Sequence, residues 1–213
     1  MVHKFRDPGS GLSHLIGAIL SVIGLVVLLI TTIPRGDVWQ IASVTVFGAS
    51  LILLYTTSAV YHIINASENI IAFLRKLDHS MIYVLIAGTY TPICLTLLRG
   101  QTGYILLSLI WGLALAGILL QTLLIKVPRF VYTAIYIFMG WLVIFAFSPL
   151  LASSSWRALS WLLAGGVLYT LGAYIYARKK PNFIPGWLGF HELFHIFVIL
   201  GSVSHFIFVF KYC

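Results

Sequence analysis

The chain has 213 residues, of which 61% are hydrophobic and only 8% are charged. A soluble globular domain carries roughly 25% charged residues, so this composition excludes a soluble enzyme, a disordered chain and a disulfide-stapled secreted domain. The long apolar runs are continuous rather than alternating, which also excludes a transmembrane β-barrel. The net charge of +8 does not indicate a nucleic-acid-binding protein, because most basic residues lie between apolar segments. We therefore expect an all-α, polytopic membrane protein.

Seven segments are long and apolar enough to cross the hydrocarbon core, which takes a helix of about 20 residues. In chain order they are 12–33, 38–64, 78–98, 103–125, 129–150, 156–178 and 188–211. Short connections of turn-forming residues separate them, such as Pro34 to Asp37 and Arg99 to Gly103. On the first helix, Gly17, Ser21 and Gly24 form a stripe of small residues that predicts close helix packing. We expect residues 1–213 to form a single seven-transmembrane-helix domain.

The basic residues predict how the chain is oriented. If the N-terminus is cytoplasmic, nine basic residues fall on the inner side and four on the outer side. The inner set is Lys4, Arg6, Arg75, Lys76, Lys126, Arg129, Arg178, Lys179 and Lys180, and the outer set is Arg35, Arg99, Arg157 and Lys211. Because cytoplasmic loops are enriched in Lys and Arg, this asymmetry predicts a cytoplasmic N-terminus and an external C-terminus. We expect a multi-pass protein of the plasma membrane.

Several ionisable residues occur where lipid should surround the chain, at a cost of roughly 2.5–3.5 kcal/mol each near the bilayer centre. They are His14, His62, Asp78, His79, His191, Glu192, His195 and His205. His62 ends the second predicted span, Asp78 opens the third, and His191 and His195 open the seventh. His14 lies in the first span at a similar depth. Residues distant in sequence are thus predicted to meet in one layer near the cytoplasmic face.

The residue types in this layer indicate a zinc site. The i, i+4 spacing of His191 and His195 places both imidazoles on one helix face, and His62 would supply the third ligand. Three protein ligands and an open fourth position characterise catalytic zinc, which lowers the pKa of a bound water to about 7. Asp78 would accept a hydrogen bond from that water. Ser58, one turn deeper than His62, would hydrogen-bond the water or a substrate oxygen.

The remaining histidines and the cysteines have ordinary interpretations. We interpret His14, His79 and His205 as hydrogen-bonded or interfacial residues rather than ligands. His205 lies about 15 Å deeper than His195 at helical rise, which is too far to share an ion. Cys94 and Cys213 form no metal-binding or disulfide pattern, so we expect free thiols.

Three motifs together resemble the bacterial haemolysin III family. They are SAVYH (Ser58 to His62), RKLDHS (Arg75 to Ser80) and HELFHIFVILGSVSHF (His191 to Phe206). That family belongs to the progestin and adipoQ receptor superfamily, which includes the adiponectin receptors, and is similar in turn to alkaline ceramidases. The resemblance extends over almost the whole chain. The segment RDPGSG departs from it, because an acidic residue and an asparagine are usual there.

The resemblance implies zinc held by His62, His191 and His195 near the cytoplasmic face of a bacterial inner membrane. Asp78 matches the residue that holds the zinc water, and Ser58 matches the family serine. A lipid-facing cavity is also implied, as is hydrolysis of the amide bond of a ceramide-like lipid in related members. Membrane lipids, with a ceramide-like or fatty-acyl substrate, are therefore the expected partners.

Three functions are compatible with these residues. The first is a zinc-dependent lipid amide hydrolase acting in membrane lipid homeostasis. The second is a non-catalytic receptor-like, membrane-homeostasis or haemolysin-type protein in which zinc is structural. The third is an intramembrane zinc metalloprotease, because HELFH matches H-E-x-x-H with Glu192 as general base. The protease is less favoured, because intramembrane proteases of this kind place H-E-x-x-H in an early span and take an aspartate from a later one, whereas here the only intramembrane aspartate precedes the motif. The family resemblance also makes Glu192 incidental, and we expect it to face a neighbouring helix or to pair with a basic residue of the loop Arg178 to Lys180.

Overall fold

The computed structural model describes residues 6–123, 128–184 and 188–213. These ranges contain seven helical spans that are long and apolar enough to cross a membrane, so the chain is an all-α polytopic membrane protein, as predicted. The helices are α1 (Pro8–Thr32), α2 (Val38–Ile63), α3 (Glu68–Pro92), α4 (Gln101–Leu123), α5 (Arg129–Trp141), α6 (Phe147–Ser153), α7 (Trp156–Arg178) and α8 (Phe190–Tyr212). The orientation and the single domain stay predictions. Lys4, Lys126 and the predicted end of the fourth span lie outside the described residues.

The predicted turn between the first two spans has a clear local cause. A single 3-10 turn, Ile33–Arg35, continues α1 and is followed by Gly36 with a φ of 73°. That left-handed conformation favours glycine because a Cβ would clash there. Asp37 then accepts a hydrogen bond from the backbone N–H of Trp39 at 2.9 Å and so caps α2.

Six helices form a ring around a cavity. In this ring α1 packs on α2 and α8, α2 packs on α3, α8 packs on α7, and α5 contacts both α3 and α7. The helix α4 packs on α3. The predicted small-residue stripe on α1 is confirmed as a close contact: a Cβ at Gly17 would lie 2.7 Å from the ring of Tyr55, and one at Gly24 would lie 3.0 Å from Phe206.

The third span begins earlier than predicted. α3 starts at Glu68 and is continued by a π-helical turn, Ile93–Leu97, whereas the length criterion placed its start at residue 78. The criterion counts apolar residues, and the first turns of α3 contain the charged residues Glu68, Arg75 and Lys76. The prediction that Asp78 opens the helix is therefore wrong: it lies ten residues after the first residue of α3.

The fifth span is broken rather than continuous. A 3-10 segment, Leu142–Ala146, separates α5 from α6, and Pro149 in the first turn of α6 cannot donate the helical hydrogen bond of its position. The hydroxyl oxygen of Tyr90 lies 2.9 Å from the carbonyl oxygen of Met139 and accepts from the N–H of Val143 at 2.8 Å. The break is tolerated because Tyr90 satisfies backbone groups that lipid would leave unpaired.

Candidate metal centre

The three predicted histidine ligands lie together where α2 ends and α8 begins. His62 is the penultimate residue of α2, and His191 and His195 lie in the first two turns of α8. One ligand nitrogen from each of them falls within 4.8 Å of the other two. The side chains of His62 and His195 are buried, with 3% and 2% exposure, and His191 is half-buried. The packing of α8 and α2 around α1 thus brings together donors that are 129 residues apart in sequence.

The distance between two of the ring nitrogens suits one tetrahedral ion. Nε2 of His62 and Nε2 of His191 are 3.2 Å apart. Two nitrogens bound to zinc at 2.0–2.1 Å with a tetrahedral angle are about 3.3 Å apart. The donor set of three imidazoles therefore fits zinc, and the nitrogens of His62 and His191 are at the ligand spacing of that ion.

Hydrogen bonds to the opposite ring nitrogens fix the tautomers of two ligands. Nδ1–H of His62 donates to Oδ2 of Asp7 at 3.0 Å, and Nδ1–H of His195 donates to the backbone carbonyl of Ser10 at 3.2 Å. A carboxylate and a carbonyl only accept, so in both rings Nδ1 carries the proton and Nε2 keeps its lone pair. Such partners orient metal-ligating histidines and raise their basicity.

Sequence reasoning missed Asp7. Its backbone N–H donates to the carbonyl of His62 at 3.0 Å, so the segment before α1 crosses the end of α2. Asp7 precedes Pro8 at the start of α1 but does not cap that helix with its side chain, because the carboxylate is directed to His62. Partial burial raises the pKa of Asp7, but its hydrogen bond to His62 and the attraction of that ring outweigh burial and hold the pKa below its usual value. The only sequence signal was an acidic residue in a segment that departs from the family pattern.

Asp78 and Ser58 line the cavity beside the histidines. The Ser58 hydroxyl lies within hydrogen-bonding reach of the Asp78 carboxylate, and His62 lies close enough to act on that carboxylate electrostatically. Oδ2 of Asp78 is 3.8 Å from Nδ1 of His79, and the Asp78 side chain is 14% exposed. Both residues are thus at the predicted site, and their catalytic roles stay predictions.

The other histidines divide into two kinds. His79 is hydrogen-bonded, as predicted, to the carbonyl of Arg75 at 2.7 Å and to the hydroxyl of Tyr176 at 3.2 Å. His14 is different from the prediction: it is buried, and its nitrogens have no hydrogen-bond partner among the described residues. Its ring stacks on that of His195, with centroids 3.6 Å apart. Sequence depth placed His14 in the right layer but gave no sign of this contact.

Glu192 contacts a neighbouring helix, but its predicted pairing with Arg178, Lys179 or Lys180 is absent from the ion pairs of the described residues. Its Oε1 accepts from the hydroxyl of Ser10 at 2.8 Å, and its Oε2 accepts from the backbone N–H of Gly189 at 2.8 Å. The first contact joins α8 to α1, and the second caps α8. Both carboxylate oxygens of Glu192 are therefore engaged in structural bonds.

A cavity of about 490 Å³ extends from the histidines into the ring of helices. Apolar side chains from several helices form much of its wall, among them Leu54, Ile82, Leu85, Ile86, Leu162 and Val198. The basic residues Arg75, Lys76 and Arg129 line it near Asp78 and His191. The volume lies within the range of ligand-binding pockets.

Known proteins match nearly the whole chain. A family model described as haemolysin-III related matches residues 2–206. The hemolysin-3 homolog of Bacillus subtilis (strain 168) is 42% identical over 208 residues, which is 98% of this chain and 94% of the relative. Hemolysin-3 of Bacillus cereus is 40% identical over 209 residues, covering 97% and 91%. The human monocyte to macrophage differentiation factor is 27% identical over 186 residues, covering 83% and 72%.

Proposed function

The chain belongs to the haemolysin-III-related family, and we propose that it is an integral membrane zinc protein that hydrolyses the amide bond of a ceramide-like lipid. The observation that carries this proposal is a cluster of three histidine donors beside a largely apolar cavity, whose wall includes two of them, His191 and His195. A donor set without a cavity would favour structural zinc, and a cavity without donors would favour a lipid carrier. Their combination favours chemistry on a lipid.

His62, His191 and His195 would hold the metal. When bound, zinc would lower the pKa of a water to about 7 and polarise a carbonyl oxygen. Asp7 and the carbonyl of Ser10 hold the rings of His62 and His195 with Nε2 directed away from them. The first helix therefore contributes no ligand but fixes the tautomers on which the site depends.

Asp78 is proposed as the group that moves the proton. Its carboxylate lines the cavity beside His62 and within reach of Ser58. As general base, a carboxylate oxygen of Asp78 takes a proton from the attacking water and returns it to the amide nitrogen as that nitrogen leaves. The Ser58 hydroxyl donates to the carboxylate and so orients it. This arrangement requires Asp78 for turnover but not for metal binding.

The cavity is proposed to hold an acyl chain, with the polar part of the lipid at its basic rim. Apolar lining excludes water from the chain, while Arg75 and Arg129 are exposed near the histidines. A membrane lipid would thus enter with its carbonyl beside His191 and its hydrocarbon tail between α3, α5 and α7.

The hydrogen bonds of Glu192 disfavour the protease hypothesis. A general base must reach the attacking water, but hydrogen bonds to the hydroxyl of Ser10 on α1 and to the backbone N–H of Gly189 hold the carboxylate of Glu192 in a structural position. The non-catalytic alternative, in which zinc only joins α2 to α8, is distinguished by turnover. Under that alternative no lipid amide would be hydrolysed, although zinc would still be bound.

The test measures zinc content and lipid hydrolysis on the same purified samples. Ceramides and other amide lipids are incubated with wild type, Asp78→Ala and the control Glu68→Ala, and released fatty acid is quantified by mass spectrometry. Glu68 is an exposed carboxylate at the start of α3. We expect Asp78→Ala to retain zinc and lose at least 100-fold in rate, within the range for a general base, while Glu68→Ala stays active. Zinc binding without hydrolysis of any lipid by wild type would reject the enzyme and favour structural zinc.

A further inference from the structure

A second group of polar side chains lies deeper in the helix ring than the histidine cluster. The hydroxyl of Tyr55 donates to Oγ of Ser202 at 2.7 Å, and the hydroxyl of Tyr169 lies 2.9 Å from the same oxygen. The ring of His205 lies 5.2 Å from that of Tyr169. We call these four residues, from α2, α7 and α8, the deep polar cluster.

Glycines make room for all three rings of the deep polar cluster. A Cβ at Gly165 would lie 2.6 Å from Nε2 of His205, and one at Gly201 would lie 2.5 Å from the ring of Tyr169. Tyr55 is seated on Gly17 in the same way. Each ring therefore packs against the backbone of a neighbouring helix, which helps to fix its position.

His205 is the member of the cluster with an unpaired buried nitrogen. Its side chain is buried, with 5% exposure, and Nδ1 has no hydrogen-bond partner among the described residues. Leaving a polar group unpaired away from water costs several kcal/mol in hydrocarbon. Hydrogen bonds that join helices account for the polar groups of Tyr55, Tyr169 and Ser202. No such bond within the described part of the chain accounts for the buried imidazole of His205. An ionisable side chain inside the membrane is by default a candidate functional residue.

Two residues of the deep polar cluster and two histidines of the metal centre line the same cavity. Tyr169 and His205 contribute to its wall, as do His191 and His195 at the other end. His205 follows His195 by ten residues on α8, which is about 15 Å along the helix axis. Apolar side chains such as Val198 and Leu162 line the cavity as well. The cavity thus carries polar side chains near the metal centre and again at the depth of His205.

We propose that His205 and Tyr169 form a second polar subsite, which binds a hydroxyl group carried in the middle of the acyl chain of the lipid. A neutral imidazole both donates and accepts, as a hydroxyl does, so the His205 ring at the cavity wall can bond one hydroxyl group. An unsubstituted chain offers this imidazole no hydrogen bond. The subsite therefore selects hydroxylated chains over plain ones.

The spacing sets the position of the hydroxyl. An extended hydrocarbon chain advances about 1.25 Å per bond, given C–C bonds of about 1.52 Å. A carbonyl at the metal centre and a hydroxyl at His205 would then be separated by roughly 12 bonds. This inference rests on the proposed function for the placement of the carbonyl, but the preference itself is measurable by binding alone.

The experiment measures dissociation constants of free fatty acids for the purified full chain in nanodiscs, by displacement of a fluorescent fatty acid. The ligands are octadecanoic acid, 12-hydroxyoctadecanoic acid and 2-hydroxyoctadecanoic acid. One net hydrogen bond contributes about 0.5–1.5 kcal/mol, so wild type should bind the 12-hydroxy acid roughly two- to tenfold more tightly than the plain acid. The 2-hydroxy acid, whose hydroxyl cannot reach His205, should gain less.

Two variants and one control test whether His205 and Tyr169 cause the preference for the 12-hydroxy acid. His205→Phe keeps an aromatic ring on Gly165 and removes both nitrogens, and Tyr169→Phe removes only the hydroxyl. The control is Ser204→Ala, on the same helix as His205. It loses a hydrogen bond of 2.7 Å from the hydroxyl of Ser204 to the backbone carbonyl of Trp161. We expect His205→Phe to abolish the preference, Tyr169→Phe to reduce it and Ser204→Ala to keep it. Zinc content and melting temperature of each variant verify folding.

The outcomes separate this inference from the proposed hydrolase. Equal binding of the plain and 12-hydroxy acids by wild type would overturn the subsite, and so would a preference that survives in both His205→Phe and Tyr169→Phe. Lipid hydrolysis would be unaffected by that failure. Failure of wild type to bind any of the three acids would overturn both the subsite and the acyl-chain cavity.

Discussion

The carboxylate of Asp7 is not a proposed metal ligand, but we expect it to strengthen zinc binding through its hydrogen bond to His62. Replacing Asp7 with Asn keeps an acceptor oxygen for Nδ1–H of His62 but removes the charge, and Asp7→Ala removes both. The oxygen lies 3.0 Å from Nδ1, and the Asp7 side chain is 33% exposed. We therefore expect an effect that partial screening by solvent reduces but does not eliminate.

The size of the effect follows from this contact. Loss of the hydrogen-bonding partner of a metal-ligating histidine costs roughly 10–100-fold in metal affinity, or about 1.4–2.7 kcal/mol. Because Asp7→Asn retains a hydrogen bond and Asp7 is partly exposed, we expect about tenfold weaker zinc binding for Asn. For Ala, which leaves the ring free to rotate, we expect a loss nearer the upper end of that range.

Competition with a zinc chelator on purified protein measures this change. Asp37→Asn is the matched control, since Asp37 also precedes a helix but bonds only the backbone of α2 and lies beside Arg99 at 3.6 Å. The zinc affinity of the Asp37→Asn variant should equal that of wild type. If Asp7→Asn and Asp7→Ala both bind zinc as tightly as wild type, Asp7 does not orient His62 for metal binding.

Three further predictions concern His205, Glu192 and the orientation of the chain. His205→Ala should leave the zinc content unchanged, because His205 lies about 15 Å deeper than His195; loss of zinc in a folded variant would contradict this. Glu192→Gln should retain zinc and lipid hydrolysis and lower the free energy of unfolding by about 1 kcal/mol, because an amide keeps the bonds to Ser10 and Gly189 in weakened form. An inactive Glu192→Gln with an active Asp78→Ala would instead support a protease-like site. A reporter fused after Cys213 should indicate the external side, and a cytoplasmic signal would reverse the orientation.

The helical fold and the proximity of the three histidines were accessible from sequence because they depend largely on simple periodicities. Apolar length predicts the spans, and i, i+4 spacing places His191 and His195 on one face whatever the rest of the fold does. Depth placed His62 in the same layer as these two residues, together with His14, and the resemblance of the SAVYH motif to the haemolysin III family implied that His62 is the third ligand. Apart from that resemblance, these inferences use helical geometry and the thickness of the membrane.

The partners of the ligands were not accessible, since they depend on tertiary contacts of a short irregular segment. No periodicity indicates that the residues before α1 cross the end of α2, so Asp7 was overlooked. Helical rise gave the depth of His14 but not its rotation toward His195. The start of α3 was misplaced because an amphipathic helix can extend beyond the hydrocarbon layer, where an apolar count no longer detects it.

Metal analysis of the purified protein tests the histidine site itself. Wild type should contain one zinc per chain, and His62→Ala, His191→Ala and His195→Ala should each lose most of it while remaining helical. His79→Ala is the control, because His79 bonds the carbonyl of Arg75 and the hydroxyl of Tyr176 rather than the three ligands, and it should retain the metal. Wild type without zinc after growth and purification in its presence, or zinc retained in all three ligand variants, would contradict the proposed metal centre.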